Sequence, residues 1–374
     1  MRQKLKFLLN CEISQCRVNV HAAPLGGGRT AKVRDFIQLE RHLADAVHAD
    51  PGLADAAAAV AALAKASVGI ANVASLGGLA GGARSAGVNA DGDAQKHLDL
   101  EAQDIVMHAL KGAPVAAVAS EELEDWRLFD AAKPLAVAFD PIDGSGNIEA
   151  NGAMGTIFSI LPARGATNPF VGAAATPLAA GVFGYGPQNT FALSLGDGVD
   201  IFTFDRRSKV WALSAAKVRV PQGVAEFAVN AANSRFWEEP VQVYVADCLT
   251  GAEGPRAQNY NMRWLGCVAA EAYRILLRGG VYLYPRDARA AYREGRLRLL
   301  YEGHPLAFLM EQAGGAASTG KRRVLDVPVA SLHQRTPLIM GSAEKVKRIE
   351  GLHAAPHARA DRAPLFGERG LFRA

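Results

Sequence analysis

The feature that most constrains this chain is short. Residues 135–139, Leu-Ala-Val-Ala-Phe, are wholly apolar and run into Asp140-Pro141-Ile142-Asp143-Gly144-Ser145. An apolar run of this length reads as a buried strand, and this one brings two carboxylates to its end. Pro141 removes an N–H and stiffens the turn, while Gly144 permits a backbone shape that other residues resist. Two carboxylates three residues apart on such a turn can converge on hard cations. The N–H groups of Gly144-Ser145-Gly146-Asn147 can cradle a phosphate. Taken alone, the motif also reads as an ordinary acidic turn.

Other carboxylates sit in comparable places. Glu121-Glu122 follows an apolar run over 115–119, and adjacent carboxylates repel unless a cation neutralises them. Asp93 and Asp99 flank the start of a helix expected over 94–110, where an N-cap and a solvated face are the plain alternatives. Glu302 follows the expected strand 297–301. Several carboxylates at strand ends, a glycine turn and scattered arginines suit magnesium or manganese bound to a phosphate, since magnesium takes oxygen ligands.

The 374 residues allow one large or two ordinary domains. With 49% apolar and 21% charged residues, a folded soluble protein is expected. A net charge of +4 makes no case for nucleic acid. Cys11, Cys16, Cys248 and Cys267 are too few for a disulfide framework and read as reduced thiols without a function. No apolar run is expected to reach a membrane span, and the basic start lacks a signal-peptide cleavage site, so a cytoplasmic protein is expected.

Residues 1–30 read as an irregular extension. Helical spacing begins at Phe36, Leu39, Leu43 and Val47, and Asp50-Pro51 starts an Ala-rich helix over 53–71. Further strands are expected over 156–161, 181–185, 190–195, 209–213 and 281–284, and helices over 264–277 and 305–313. Turn residues at 220–223 mark a boundary. The expected organisation is an N-terminal α/β domain over 31–218, a C-terminal α/β domain over 219–350, and a flexible tail over 351–374.

Across 139–160, FDPIDGSGNIEANGAMGTIFSI resembles class I fructose-1,6-bisphosphatase, whose signature is a DP-(I/L)-DGSSNID segment ending in GTIF. GDAQKHLD at 92–99, SEE at 120–122, NMRWLG at 261–266, GGVYLYP at 279–285 and GRLRLLYEGHPLAFLMEQAGG at 295–315 extend it in register over roughly 85–345. The resemblance implies a two-domain layered α-β-α-β-α sandwich of the sugar phosphatase type. It implies hydrolysis of the 1-phosphate of fructose 1,6-bisphosphate in gluconeogenesis or the Calvin cycle. It also implies two or three Mg2+ per subunit, with Mn2+ an alternative.

By the same resemblance, Glu121, Asp140, Asp143, Glu302 and the carbonyl of Ile142 hold metal, Asp93 sits near a weaker metal position, and Glu122 with Asp99 deprotonates the attacking water. Gly144, Ser145 and Gly146, beside Asp143, hold the 1-phosphate. Asn230, Arg263, Trp264, Tyr284 and Arg296 take the sugar and 6-phosphate, and Arg298 is expected on the strand face of Arg296. The position of Arg263 reaches a neighbouring subunit in the family, which implies a homo-oligomer, a tetramer or at least a dimer.

The chain departs from the pattern at Gly146 (serine), Glu149 (aspartate), Trp264 (tyrosine) and Arg296 (lysine). Trp264 and Asn233 keep sedoheptulose 1,7-bisphosphate open as a substrate. Asp50-Pro51-Gly52-Leu53 and Lys133-Pro134 stand where AMP-inhibited members carry their effector residues, so weak or absent AMP inhibition is expected. An inositol monophosphatase shares the acidic motifs but lacks the 295–315 block. A non-catalytic relative is the alternative from another class.

Overall fold

The computed structural model describes residues 36–81, 85–88, 94–163, 168–172 and 176–355. Asp93, Cys11, Cys16, the extension over 1–30 and the tail beyond 355 lie outside the described residues.

The chain opens with α1 (Leu39–Ala49) and α2 (Ala54–Leu76), then β1 (Ser85–Val88), β2 (Ala94–Lys96) and α3 (His97–Lys111). Next come β3 (Val115–Ser120), β4 (Arg127–Leu128), β5 (Leu135–Asp143), β6 (Met154–Pro162), β7 (Ala179–Tyr185), β8 (Thr190–Ser194), β9 (Asp200–Asp205) and β10 (Val210–Ala215). These eight form one sheet in the order β10-β9-β8-β7-β6-β5-β3-β4. The later residues give β11 (Glu226–Val229), α4 (Glu239–Leu249), β12 (Asn261–Arg263), α5 (Val268–Arg278), β13 (Val281–Tyr284) and β14 (Leu297–Arg298). They continue with α6 (His304–Gln312), β15 (Ala316–Ser318), β16 (Arg335–Thr336), β17 (Leu338–Gly341) and α7 (Ala343–Ala354). A second sheet runs β12-β11-β13-β17-β15.

Burial along these elements stacks five layers. Leu135, Val137 and Phe139 of β5 share a core with Leu63 and Ile70 of α2 and Val106 of α3. Ile157, Val182 and Ala192, on the opposite face of the large sheet, pack with Ile275 of α5 and Leu309 of α6, as do Tyr282 and Met340 of the second sheet. Phe227, Val281 and Ile339 face the other way, onto Tyr244 of α4 and Ile349 of α7. The order is helices, sheet, helices, sheet, helices, so the expected α/β sandwich is the observed one.

α2 forms because its sequence is mostly alanine, the best helix former. Asp50 Oδ1 accepts the Gly52 N–H at 2.9 Å ahead of it, and Pro51 occupies the first turn. By length and composition 51–79 could cross a membrane, contrary to expectation; yet over half of its most apolar 18-residue window is buried in the protein, and Leu63, Ser67 and Ile70 face its core.

Other expectations need adjusting. The helix placed at 94 starts at His97, because Asp99 Oδ2 accepts the Lys96 N–H at 2.8 Å and fixes the first turn there. The helix placed at 264 starts at Val268, since Gly266 adopts a left-handed φ of 67° that breaks it. The run 297–301 is strand only through Arg298 and continues as a π-helix, Leu299–Gly303. A fully buried apolar run carries no periodicity to separate the two. β9 was not anticipated, and 351–354 close α7 rather than begin a tail.

The large sheet carries an aromatic layer of Phe158, Phe183, Phe191, Phe202 and Trp211, with Phe183 and Phe191 stacked at 4.1 Å. Phe191→Ala should lower stability by about 3–5 kcal/mol in denaturant unfolding. A loss below about 1 kcal/mol would contradict this packing.

Candidate active site

β5 pairs in register with β6 as far as Asp140, opposite Ile157, and resumes at Asp143, opposite Gly155. The intervening Pro141-Ile142 forms a bulge. A bulge bends the strand and re-aims its side chains, here at the point where both aspartates leave the sheet. Its shape is held by hydrogen bonds: Asp140 Oδ1 accepts the Ile142 N–H at 3.0 Å, and the Thr156 hydroxyl donates to the Pro141 carbonyl at 2.7 Å. Gly144, at φ 84°, follows; a Cβ there would lie 2.8 Å from Cys267 Cβ and 3.0 Å from the Ala153 carbonyl, so no other residue fits.

Two more elements bring acids to the same place. β3 lies parallel to β5 and ends one residue before Glu121, whose N–H donates to the Phe139 carbonyl at 3.2 Å. The π-helix turns Glu302 back so that its Oε2 accepts the Arg298 N–H at 2.5 Å. π-turns often mark functional sites. Carboxylate oxygens of Asp140, Asp143 and Glu302 then lie within 4.8 Å of one another. Asp140 and Glu302 are 3% and 5% exposed.

Burial pushes the carboxyls of Asp140 and Glu302 well above their ordinary values, and repulsion from Glu121 and Asp143 adds to this. Burial also raises Asp143, to about 6, against hydrogen bonds from Cys267 and the Ala269 N–H. Such an arrangement is stable either protonated or with a cation among the acids. An all-oxygen, all-carboxylate donor set fits a hard divalent ion rather than a soft one.

These acids form one end of a cavity of about 420 Å³. Its wall brings together Glu121, Glu122, Asp140, Ile142, Asp143, Gly144, Ser145, Gly146, Trp264, Tyr284, Arg296, Arg298 and Glu302. At the other end Trp264 stacks on Tyr282 at 5.8 Å and meets Tyr284 edge-on at 5.7 Å. The Arg296 guanidinium lies 5.9 Å from the Tyr284 ring. One end is acidic, the other aromatic and cationic. Hollows of about 480 and 690 Å³ along α2 are larger, but alanine and other apolar side chains dominate their walls and no carboxylate cluster meets there.

Some expected residues stand apart. Asp99 is buried behind the wall, with Oδ1 unpartnered and a carboxyl that burial raises to about 6. Asn230 caps the turn at Ala232 through a 3.3 Å hydrogen bond, and Asn233 is half-buried; neither lines the cavity. Arg263, half exposed on β12, pairs with Glu226 at 3.5 Å, also outside it. Arg296 is exposed and precedes β14, whereas Arg298 is buried, its Nη2 3.9 Å from Glu121 Oε1; both line the cavity. Lys96, Tyr282, Arg335 and Cys267 line the cavity without having been singled out. The GDAQKHLD and GGVYLYP segments already carried Lys96 and Tyr282; nothing in the sequence marked Cys267 or Arg335 as a site residue.

The Cys267 thiol is 2.9 Å from Asp143 Oδ2, and burial with that carboxylate pushes it well above its ordinary pKa, so it stays a donor.

Comparison with known proteins agrees with this arrangement. The family descriptions "Fructose-1-6-bisphosphatase, N-terminal domain" and "Fructose-1-6-bisphosphatase, C-terminal domain" match residues 39–216 and 220–354. A "Fructose-1,6-bisphosphatase class 1" of Rhodopseudomonas palustris (strain BisB5) is 57% identical over 301 residues, covering 80% of this chain and 87% of its own. One from Nitrobacter hamburgensis is 51% identical, with the same coverage. The crystal structure of Leishmania major fructose-1,6-bisphosphatase in holo form superposes with a TM-score of 0.78 at 28% identity, over 85% of this chain and 99% of that one. The chain belongs to the class 1 fructose-1,6-bisphosphatase family.

Proposed function

We propose that this chain hydrolyses fructose 1,6-bisphosphate at its 1-phosphate, giving fructose 6-phosphate and phosphate, with Mg2+ held by Asp140, Asp143, Glu302, Glu121 and the Ile142 carbonyl. The observation that carries this reading is the meeting of three carboxylates within 4.8 Å at one end of a cavity whose other end is aromatic and cationic. Such a cavity suits a sugar with a phosphate at each end. Two or three Mg2+ per subunit, with Mn2+ as a substitute, match the number of acids present. A bound divalent ion supplies charge neutralisation at the phosphoryl oxygens and an acidified water.

The chain's own groups do the rest. Backbone N–H groups at Gly144, Ser145 and Gly146 take the 1-phosphate. Glu122, on the wall, and Asp99, behind it, receive the proton of the attacking water; a carboxyl near 6 is poised for that exchange near neutral pH. Asp93 belongs with a weaker metal position. Trp264, Tyr284, Arg296 and Arg298 orient the sugar and the distal phosphate. Asn230 belongs with the sugar and its 6-phosphate, and Arg263, which lies off this cavity, acts at a neighbouring subunit's site in a homotetramer or at least a dimer. Residues 31–218 supply most metal ligands and 219–350 most sugar contacts, and the protein works in the cytoplasm, insensitive to AMP.

Phosphate release from fructose 1,6-bisphosphate, beside sedoheptulose 1,7-bisphosphate and inositol 1-phosphate, tests the reading with magnesium and with chelator. Magnesium-dependent turnover of the fructose substrate is expected. Trp264 in the cavity wall favours some turnover of the sedoheptulose substrate too. No turnover of any of them with magnesium or manganese would leave a non-catalytic relative as the reading. Asp99→Asn and Glu122→Gln should each lower kcat by roughly 10²–10⁴-fold with KM little changed; a raised KM at unchanged kcat would contradict their role.

The acids also set a pH dependence. An acid raised by folding is protonated in both states at low pH, and its unfolded form ionises first as pH rises. Asp143, at about 6, therefore weakens the metal-free fold as pH climbs from about 4 through 6, and Asp140, raised well above its ordinary value by burial, acts in the same direction. In chelator, Asp140→Asn should unfold at a higher temperature than the parent, by a margin that grows with pH. A margin independent of pH would contradict this.

A further inference from the structure

Cys267 has no place in the chemistry above, yet its sulfur joins two parts of the site. Sγ lies 2.9 Å from Asp143 Oδ2, and the Ala269 N–H donates to the same oxygen at 2.6 Å. The sulfur in turn accepts the Ala270 N–H at 3.4 Å, in the first turn of α5. Cys267 is 3% exposed. A Cβ on Gly144 would come within 3.1 Å of Sγ, so the turn after Asp143 is pressed against the sulfur. The thiol has little room to leave.

We propose that Cys267 is a positioning residue: its thiol, with the Ala269 amide, locks the orientation in which the Asp143 carboxylate shares a divalent cation with Asp140 and Glu302. This rests on the reading of the acidic cluster as a metal site. A carboxylate turns readily about its last bond, because that torsion is broad and roughly two-fold. Two donors on one oxygen end that freedom before any cation arrives. The cation then meets ligands already in place, and its affinity does not carry the loss of that motion. Partners that orient metal ligands through hydrogen bonds are typically worth 10–100-fold in affinity. α5 fixes the amide donor through its own backbone, so the thiol is the one donor a side-chain change can remove.

The test compares the full-length parent with Cys267→Ala, Cys267→Ser and Cys248→Ala. The last is the same truncation at a buried cysteine of α4, away from the site. Free Mn2+ is read by electron paramagnetic resonance without substrate, and the magnesium dependence of phosphate release is read separately. Cys267→Ala should weaken Mn2+ binding about 10–100-fold and raise the half-saturating magnesium by a like factor. The serine variant, which keeps a donor, should stay within about threefold of the parent, as should Cys248→Ala. If the alanine variant does not fold, Cys267→Val fills the space without a donor and should show the same loss. Parent-like Mn2+ affinity in the folded donor-less variant would overturn the positioning role while leaving the metal site standing. Absence of Mn2+ binding by the parent would overturn both.

Discussion

The mutual repulsion of buried carboxylates is the interaction on which this structure depends. Asp140, Asp143 and Glu302 come from a strand bulge and a π-turn, and Glu121 joins them from a neighbouring parallel strand. Asp140 and Glu302 are almost wholly buried, and repulsion from neighbouring carboxylates makes the ionised form of each still less favourable. Arg298 Nη2 lies 3.9 Å from Glu121 Oε1. The fold has therefore gathered charges that a monomer without a partner ion would be better off dispersing. The strand bulge after Asp140 and the π-turn at Glu302 are what turn the acids inward.

The five layers explain how such a site is kept in shape. The large sheet supplies Asp140, Asp143 and Glu121 at its strand ends, the π-helix supplies Glu302, and the helical layer beneath the sheet supplies the N-terminus of α5, whose first-turn amide holds Asp143. The second sheet supplies Tyr282 and Tyr284, on which Trp264 rests. The cavity is thus bounded by both sheets and the helices between them, all with apolar cores. A substrate with two anionic ends meets metal-binding acids at one end and arginine with aromatic faces at the other. The replacement of tyrosine by Trp264 falls at that second end, so a change in sugar preference is separable from the chemistry at the first.

Much of this was legible in the chain itself. The 135–139 run could hardly be anything but a buried strand, and the acids at its end lie where a strand's end should place them. The blocks shared with class I fructose-1,6-bisphosphatase brought Glu121, Asp140 and Glu302 to one site although they lie far apart in the chain. What stayed hidden has physical reasons. The continuation of 297–301 as a π-helix lies within an apolar run that has no face to read. β9, Asp200 to Asp205, begins and ends on aspartates and looked like loop. The helix expected at 264 begins four residues later because of one left-handed glycine. Cys267 looked like an inert thiol because its partner, Asp143, is 124 residues away in sequence.

The most direct test of the account is to locate the cation. Crystals grown with Mn2+ and fructose 6-phosphate, measured at the manganese absorption edge, would show where the ion sits. The account predicts an anomalous peak ligated by Asp140, Asp143 and Glu302, with the sugar phosphate toward Arg296 and Tyr284. A catalytically active preparation whose manganese lies elsewhere, with the three carboxylates bare, would contradict it.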